Sequence, residues 1–387
     1  MARPLPSLLE LAAGRPIGEV DDSAGLVRSA IEHRMEGLLW AATRHDKTIL
    51  GDTPTTALAH RSLITRTHHR ALWDALIALT ADLATIDLDV ATFKGVTSEA
   101  RWYDDPGDRP CSDIDLLVAP HHLHRIGELV AALDPAHPLA GDVNRLVATG
   151  ALQSIELSYR GLSLDVHVDV FKIGIPSRQR DAIWDRTQMC ATSYGEFRVL
   201  DPETALVQFL LHLNKDRFRW LLGYVDVVRL MERETLDWSM VEAIAAADGL
   251  GGPVALSLTC VTSALGLEPA PLPRARGWRA LAWRRLWRPS VRLQGDIAVT
   301  GFHLRQAFLP ALAKGRIVDA ARSSARRLAP HPTLVRYRNP AGSGGYVRRL
   351  TTGRLERTLA RRRAIRRLRR GANQHAERAA TSRPGSD

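Results

Sequence analysis

Two aspartates placed two residues apart open an apolar run and are well suited to bind a metal ion. The run reads Asp113-Ile114-Asp115-Leu116-Leu117-Val118. Residues two apart in a β-strand point to the same face, so the two carboxylates would lie side by side. Adjacent carboxylates repel each other unless a cation lies between them, and Asp is disfavoured inside strands. The sequence therefore predicts a divalent-cation site, with Mg²⁺ as the hard cation that prefers oxygen ligands and Mn²⁺ as an alternative.

A third carboxylate is predicted on a later strand. Residues 161–171 alternate polar and apolar side chains, which predicts a strand with Asp165, His167 and Asp169 on one face. The preceding residues 154–159 and the Arg160-Gly161 turn predict the other half of a hairpin. Asp165 on this strand and Glu156 on the partner strand are both candidates to complete the metal site.

These motifs carry a family resemblance. A strand that ends in Lys94-Gly95, an Asp-x-Asp strand and a distant carboxylate strand together resemble the DNA polymerase β-type nucleotidyltransferase superfamily. The run from Arg109 to Val118 is similar to uncharacterised bacterial nucleotidyltransferases with LKG and RPxxDIDLLV motifs. The resemblance covers about residues 65–235. It implies an α+β fold: a polymerase β-like core, with a small mixed sheet and helices, flanked by helical segments. Lys94-Gly95 departs from the usual Gly-Gly or Gly-Ser of the superfamily.

The resemblance also implies an activity. It predicts Mg²⁺-dependent transfer of a nucleoside monophosphate from an NTP to a hydroxyl acceptor, with release of pyrophosphate. Asp113 and Asp115 would bind the metal ions. Asp165 would serve the acceptor side, with Glu156 as the lesser candidate, because the family has carboxylate-x-His on this strand, which Asp165-Val166-His167 matches. The acceptor, whether small molecule, protein or RNA, is left open. Candidate contacts to the triphosphate are the backbone after Gly95 and the side chains of Lys94, Thr97, Ser98, Arg101, Arg109 and Ser112.

Two further polar residues lie in predicted helices beyond this core. His212 and Asp226 fall near positions that are usually His and Asp in the family, which makes them candidates for the nucleotide or acceptor pocket. The alternative is a hydrogen-bonded pair that braces two helices.

The chain is predicted to contain five segments. They are an N-terminal helical segment (1–60), the nucleotidyltransferase core (61–200), a helical domain that completes the core (201–268), an Arg/Trp-rich helical region (269–347) and a partly disordered basic tail (348–387). A long amphipathic helix from Leu58 to Ile86, with an apolar stripe from Leu63 to Leu83, leads into the core. A second helix is predicted from His122 to Leu133.

Other cysteines and histidines indicate no further site. His121, His122 and His124 follow a proline, without a partnering cysteine or a suitably placed aspartate, and are not expected to bind zinc. The three cysteines are far apart and fit reduced thiols of a cytoplasmic protein. The sequence shows neither a signal peptide nor a run of about 18 apolar residues, so a soluble cytoplasmic protein is predicted.

The net charge of +11 is concentrated at one end of the chain. Residues 341–387 contain 13 Arg and 3 acidic residues, a net of +10, whereas residues 1–340 contain 40 basic and 39 acidic residues. The basic tail predicts contact with a polyanion such as RNA or an anionic membrane surface. Residues 274–292 contain seven Arg and three Trp, a pattern typical of a packed helix with snorkelling arginines or of a nucleic-acid surface.

Two other functions fit parts of the pattern. A nucleotide-sugar glycosyltransferase would use Asp113 and Asp115 as its Asp-x-Asp motif, but it leaves Asp165 and the Lys94-Gly95 turn without a task. A catalytically quiet scaffold would use the basic tail to bind nucleic acid, but it has no need for three clustered carboxylates.

Overall fold

The computed structural model describes residues 6–46, 48–172, 176–216, 218–268 and 333–334. The predictions for the Arg/Trp-rich region and the basic tail fall outside these ranges, apart from the short piece at Thr333 and Leu334.

A six-stranded mixed sheet forms the centre of the described chain. Its order is β3-β4-β2-β1-β6-β5, in which β2–β4 and β1–β6 run parallel and the other pairs antiparallel. The α+β fold with a small mixed sheet is therefore confirmed. The strands are β1 Val90–Thr92, β2 Asp113–Val118, β3 Ser154–Tyr159, β4 Leu162–His167, β5 Gln188–Thr192 and β6 Gly195–Val199.

Helices cover both faces of this sheet. The α-helices of the described ranges are α1 Pro6–Ala12, α2 Ser23–His33, α3 Glu36–Thr43, α4 Asp52–Thr85, α5 Gly95–Trp102, α6 Ile126–Leu133, α7 Val143–Ala148, α8 Arg180–Asp185, α9 Pro202–Lys215, α10 Leu221–Arg233, α11 Trp238–Ala247 and α12 Gly251–Leu265. Among them we find none with both the length and the hydropathy that crossing a membrane requires.

The long helix α4 begins six residues before the predicted start and has a narrower apolar stripe. Leu72, Leu76, Leu79 and Leu83 are buried at spacings of three and four, as expected, but Leu63 is 62% exposed. Leu63 precedes Leu72 by nine residues, which is two and a half helical turns and places it on the opposite face.

Two other predicted elements are shorter than expected. The helix predicted from His122 to Leu133 is divided into a 3₁₀ helix, Pro120–Arg125, and α6. Strand β4 ends at His167, so Asp169 does not extend its polar face. The Asp169 carboxylate instead accepts hydrogen bonds from the backbone N–H groups of Phe171 and Ser177.

The alternation of side chains along β2 divides the core into two parts. Ile114, Leu116 and Val118 pack with α4, α6 and α7 on one face of the sheet. Leu117 belongs to the other cluster, which contains residues of α1–α3 and of α9–α12. Asp113 and Asp115 share the parity of Leu117, so they face the second group of helices.

Candidate active site

The register of the parallel pair β2–β4 brings the central carboxylates together. Asp115 lies directly beside Asp165, and Leu117 beside His167. Neighbouring strands are about 4.8 Å apart, so the Asp115 and Asp165 side chains project into the same volume. The pairing predicted from two separate motifs is therefore present in the sheet.

A buried histidine links the two carboxylates. His167 Nε2 lies 2.9 Å from Asp115 Oδ1 and 3.1 Å from Asp165 Oδ2. Its Nδ1 lies 3.4 Å from the Asp169 carbonyl oxygen, and the edge of its ring packs on Phe93 with centroids 4.7 Å apart. Both ring nitrogens thus face oxygens that accept hydrogen bonds, and His167 holds the carboxylates at a fixed separation.

Two lysines bring positive charge to the same cluster. Lys94 Nζ lies 3.1 Å from Asp115 Oδ1, and Lys172 Nζ lies 2.5 Å from Asp165 Oδ2. Burial by itself raises the pKa of the Asp115 carboxyl, but Lys94 and the His167 hydrogen bond outweigh it and hold that pKa well below its usual range. For Asp165, burial is likewise outweighed by His167 and Lys172, and its pKa is also lowered. Both groups are carboxylates at neutral pH.

The donor set fits a divalent cation. Asp115, Asp165 and His167 offer ligand atoms within 4.8 Å of one another. Asp165 Oδ1 is buried and has no hydrogen-bond partner among the described residues. A buried carboxylate oxygen without a donor is unfavourable unless a cation or water satisfies it, so this oxygen is a natural ligand position.

Asp113 lies outside this three-residue group. It is half-buried at the start of β2 and accepts a hydrogen bond from the exposed Ser112 hydroxyl at 3.1 Å. Its Cα partner on β4 is Ser163. Asp113 shares the face of Asp115, and no lysine of the described ranges pairs with it as Lys94 and Lys172 pair with Asp115 and Asp165.

The Lys94-Gly95 turn packs against the strand that carries the aspartates. Lys94 has φ 56° and ψ −155°, Gly95 has φ 40°, and α5 begins there. A Cβ atom added to Gly95 would lie 3.1 Å from the backbone oxygen of Asp113. The turn thus needs glycine at position 95 for both its conformation and its close approach.

The hydroxyls predicted to contact phosphate lie beneath this turn. The buried Thr97 hydroxyl shares a hydrogen bond of 2.8 Å with the Thr92 hydroxyl of β1. Ser98 is fully buried, and its Oγ has no hydrogen-bond partner among the described residues. At this end of α5, the groups that remain to meet a phosphate are the backbone N–H groups of its first turn and the Lys94 ammonium.

Arg109 and Asp226 form a buried ion pair that contacts the Lys94-Gly95 turn. Arg109 Nε and Nη2 lie 2.7 Å and 2.9 Å from the two Asp226 carboxylate oxygens, and Nη1 donates to the Gly95 carbonyl at 3.1 Å. The Tyr103 hydroxyl donates to Asp226 at 2.7 Å. Burial alone would lower the Arg109 pKa, but Asp226 raises it overall, so the guanidinium stays charged. The pair ties α10 to the Gly95 turn.

The other two cationic or polar candidates have different partners. Arg101 donates to the Leu200 carbonyl at 2.9 Å and to Glu234 at 2.7 Å, which joins α5 to the end of α10. His212 Nε2 lies 3.1 Å from the carboxylate of Asp216, the residue that follows its own helix α9. The alternative in which His212 and Asp226 pair with each other is therefore wrong.

Two residues of the cluster, His167 and Lys172, are not among the predicted site residues. The alternation of β4 placed His167 on the face of Asp165, but its bridge to Asp115 depends on the β2–β4 register. Lys172 lies beyond the end of β4, where the Phe171 backbone N–H donates to the Asp169 carboxylate, and its ammonium contacts Asp165. Strand periodicity could not have identified Lys172.

Asp89, His121 and His122 form a second group of residues that could bind a metal ion. Asp89, just before β1, offers a carboxylate to His121 and His122 of the 3₁₀ helix, with ligand atoms within 4.8 Å of one another. The expectation that no suitably placed aspartate partners these histidines is wrong because the antiparallel β1–β2 pair brings positions 89 and 119 together.

The chain is similar to one family of known proteins and to one solved structure that we describe. A family profile described as "Uncharacterised nucleotidyltransferase" matches residues 20–266. No curated protein sequence matches the chain. A solved structure, an antigenic nucleotidyltransferase-like protein from Paracoccidioides brasiliensis, is similar at 14% identity and a TM-score of 0.29, over 54% of this chain and 92% of that one. The profile covers well over half of the sequence, including Asp113, Asp115 and Asp165, and the chain belongs to this family of uncharacterised nucleotidyltransferases.

Proposed function

We propose that the protein is a Mg²⁺-dependent nucleotidyltransferase that moves a nucleoside monophosphate from an NTP to a hydroxyl acceptor and releases pyrophosphate. The observation that carries this proposal is the juxtaposition of Asp115 and Asp165 with the orphan Asp165 Oδ1. Membership in the nucleotidyltransferase family supports the same reaction. The acceptor class, whether small molecule, protein or RNA, is left open because the fold does not choose among them.

Asp113, Asp115 and Asp165 would hold the metal, with Mn²⁺ as an alternative to Mg²⁺. When bound, the divalent cation would neutralise the charge on the triphosphate and lower the pKa of the acceptor hydroxyl. Asp165 would hold the metal on the acceptor side, because it carries the unpaired oxygen and lies on the strand beyond Asp115.

The Gly95 turn would bind the triphosphate. The backbone N–H groups that open α5 are suited to anions, and Lys94 already projects over the carboxylates. Arg109 would act through the Gly95 carbonyl by keeping the turn in place. Lys172 would orient Asp165 on the acceptor side.

The test is NTP turnover by variants that separate chemistry from folding. We expect Asp113→Asn to lower Mg²⁺-dependent pyrophosphate release by at least about a hundredfold while leaving the unfolding free energy nearly unchanged, because Asp113 has no ion-pair partner among the described residues and metal ligation stabilises the transition state by several kcal/mol.

Glu156→Gln is the matched control. Glu156 is the direct cross-strand neighbour of Asp165 but is exposed and outside the ligand group. It should therefore turn over NTP at the parent rate. Equal rates for the parent and Asp113→Asn would reject the metal assignment. Turnover of nucleotide sugars in place of NTPs would indicate the glycosyltransferase, and no turnover of either would indicate the quiet scaffold.

A further inference from the structure

A second ligand group lies at the opposite end of β1 and β2 from the aspartates. Asp89 precedes β1, and its carbonyl accepts a hydrogen bond from the Ala119 amide, just after β2. Asp115 is beside Phe93 at the other end, where the Phe93 amide donates to the Asp115 carbonyl. Ala119 is four residue steps beyond Asp115 along the chain, which is roughly 13 Å in an extended strand, so the two ligand groups are distinct.

The side chains of this second group already face one another. His121 Nε2 lies 3.3 Å from Asp89 Oδ2, and the His121 and His122 ring centroids are 4.2 Å apart. The Asp89 backbone N–H donates to His122 Nδ1 at 2.9 Å. Because a backbone N–H can only donate, this Nδ1 carries no proton and turns a lone pair toward Asp89. A metal ion could bind this lone pair in place of the hydrogen bond from the Asp89 N–H.

Neighbouring residues restrain the ring of His121. It packs edge-on against Trp184 of α8 at 6.2 Å between centroids, and the Arg198 guanidinium covers the same Trp184 ring at 5.5 Å. His121 is thus fixed by a tertiary contact although its side chain is 56% exposed.

Asp89 also lines a cavity on the sheet face opposite to the catalytic aspartates. Strands β1 and β6 pair at Thr92 and Val199. Residues that precede this pair on both strands line the cavity, which has a volume of about 340 Å³. Leu76, Leu83 and Leu116, all from the α4 side of the sheet, form part of its wall. Three carboxylates and one guanidinium line the cavity, those of Asp87, Asp89, Glu196 and Arg198, which favours a cation near Asp89.

We propose that Asp89, His121 and His122 bind one divalent transition-metal ion beside this cavity. Two imidazoles and one carboxylate suit Zn²⁺, Ni²⁺ or Cu²⁺ and not Mg²⁺, which prefers oxygen ligands. Three protein ligands leave at least one coordination position for water or a small anionic ligand. The site is independent of the proposed nucleotidyl transfer.

The experiment is a calorimetric titration of the full chain with Zn²⁺ in millimolar Mg²⁺. The Mg²⁺ is present to compete with Zn²⁺ for the carboxylates of Asp115 and Asp165. The parent should bind one more equivalent of Zn²⁺ than His121→Ala or Asp89→Asn, or should bind that equivalent at least about tenfold more tightly. The reason is that each variant lacks one of the three ligands. Each substituted residue is more than half exposed, so both variants should fold.

His124→Ala is the matched control, since His124 is exposed on the same 3₁₀ helix and lies outside the ligand group. It should bind Zn²⁺ as the parent does. If His124→Ala lowers binding as much as His121→Ala, the binding is adventitious and the proposal is wrong. The proposal is also overturned if the parent and Asp89→Asn bind Zn²⁺ with the same stoichiometry and affinity.

Discussion

Lys94 adopts a backbone conformation that residues with a side chain rarely adopt. At φ 56° and ψ −155° it occupies a region that is nearly exclusive to glycine, at a cost of about 1–3 kcal/mol. In this conformation Lys94 Nζ lies 3.1 Å from the Asp115 carboxylate, where a triphosphate would lie.

We therefore expect Lys94→Ala to raise the KM for NTP by about 10- to 100-fold, because a charge-assisted hydrogen bond contributes about 1.5–3 kcal/mol. The measurement is steady-state kinetics at saturating Mg²⁺. Lys94→Gly should be more stable than Lys94→Ala, since glycine accepts the positive φ, yet equally impaired toward NTP. A parental KM in Lys94→Gly would show that the ammonium has no part in binding.

At the scale of elements, the turn before α5 is held between two partners. Gly95 touches the backbone of β2 from one side, and its carbonyl accepts from Arg109, which is fixed by Asp226 of α10. The position of the proposed phosphate site thus depends on a strand and a distant helix together.

Gly95→Ala should lower the unfolding free energy by about 1–2 kcal/mol, the cost of a Cβ at positive φ, and should also abolish turnover because the new Cβ pushes on the Asp113 backbone. Gly161→Ala is the control. Gly161 has φ 79° at the hairpin tip, but nothing lies within 4 Å of an added Cβ. It should show a similar stability loss in urea unfolding with full activity. Loss of activity in both variants would contradict this account.

Asp226→Asn should destabilise the protein by about 3–5 kcal/mol, because it leaves the buried Arg109 guanidinium without its counter-ion. The measurement is the midpoint of urea unfolding. Asp104→Asn is the surface comparison, since Asp104 pairs with Arg233 at an exposed position, and its effect should stay below about 1 kcal/mol. Similar midpoints for the two variants would show that the buried pair does not stabilise α10 against the turn.

The loop that leads to β2 predicts a pH dependence. Burial, with the neighbouring Asp105 carboxylate, raises the pKa of Asp108 from 3.8 to about 7. Between about pH 4 and pH 7 the folded chain keeps this proton while the unfolded chain has lost it, so the unfolding free energy falls as pH rises and levels off above pH 7.

Asp108→Asn removes this dependence while keeping the shape of the side chain. Its stability advantage over the parent should grow from pH 5 to pH 8 by at most about 3 kcal/mol, because only about two of the roughly three pKa units of the shift lie within that pH range. Urea unfolding of both proteins at the two pH values measures the difference. An advantage that does not change with pH would mean that Asp108 ionises normally.

At the scale of the whole molecule, the site and the excess positive charge are separated along the chain. Every proposed catalytic residue lies within residues 94–226, whereas residues 341–387 carry a net charge of +10. We expect deletion of residues 348–387 to leave Mg²⁺-dependent turnover with a small acceptor within about twofold of the parent.

The same deletion should remove salt-sensitive binding to RNA or anionic vesicles, because basic segments bind polyanions through counter-ion release. Binding measured at two salt concentrations tests this. Undiminished RNA binding by the truncated protein would show that the tail is not the polyanion contact, and residues 274–292 would be the next candidate.

The local sequence determined the strands and the residues able to do chemistry. Alternation placed Asp115 and Asp165 on polar strand faces, and the Arg160-Gly161 turn fixed the hairpin, since both residues have positive φ there. The α+β class followed as well, because strand periodicity and helix spacing are properties of short segments.

Tertiary structure decided the partners of those residues. The β2–β4 register selected Asp165 as the neighbour of Asp115 and inserted His167 between them, and the pairing of β1 with β2 brought Asp89 to His121. Arg109, expected at the triphosphate, lies under the turn because Asp226 of α10 approaches it from more than a hundred residues away. Strand register and helix docking depend on long-range packing, to which no short stretch of sequence is sensitive.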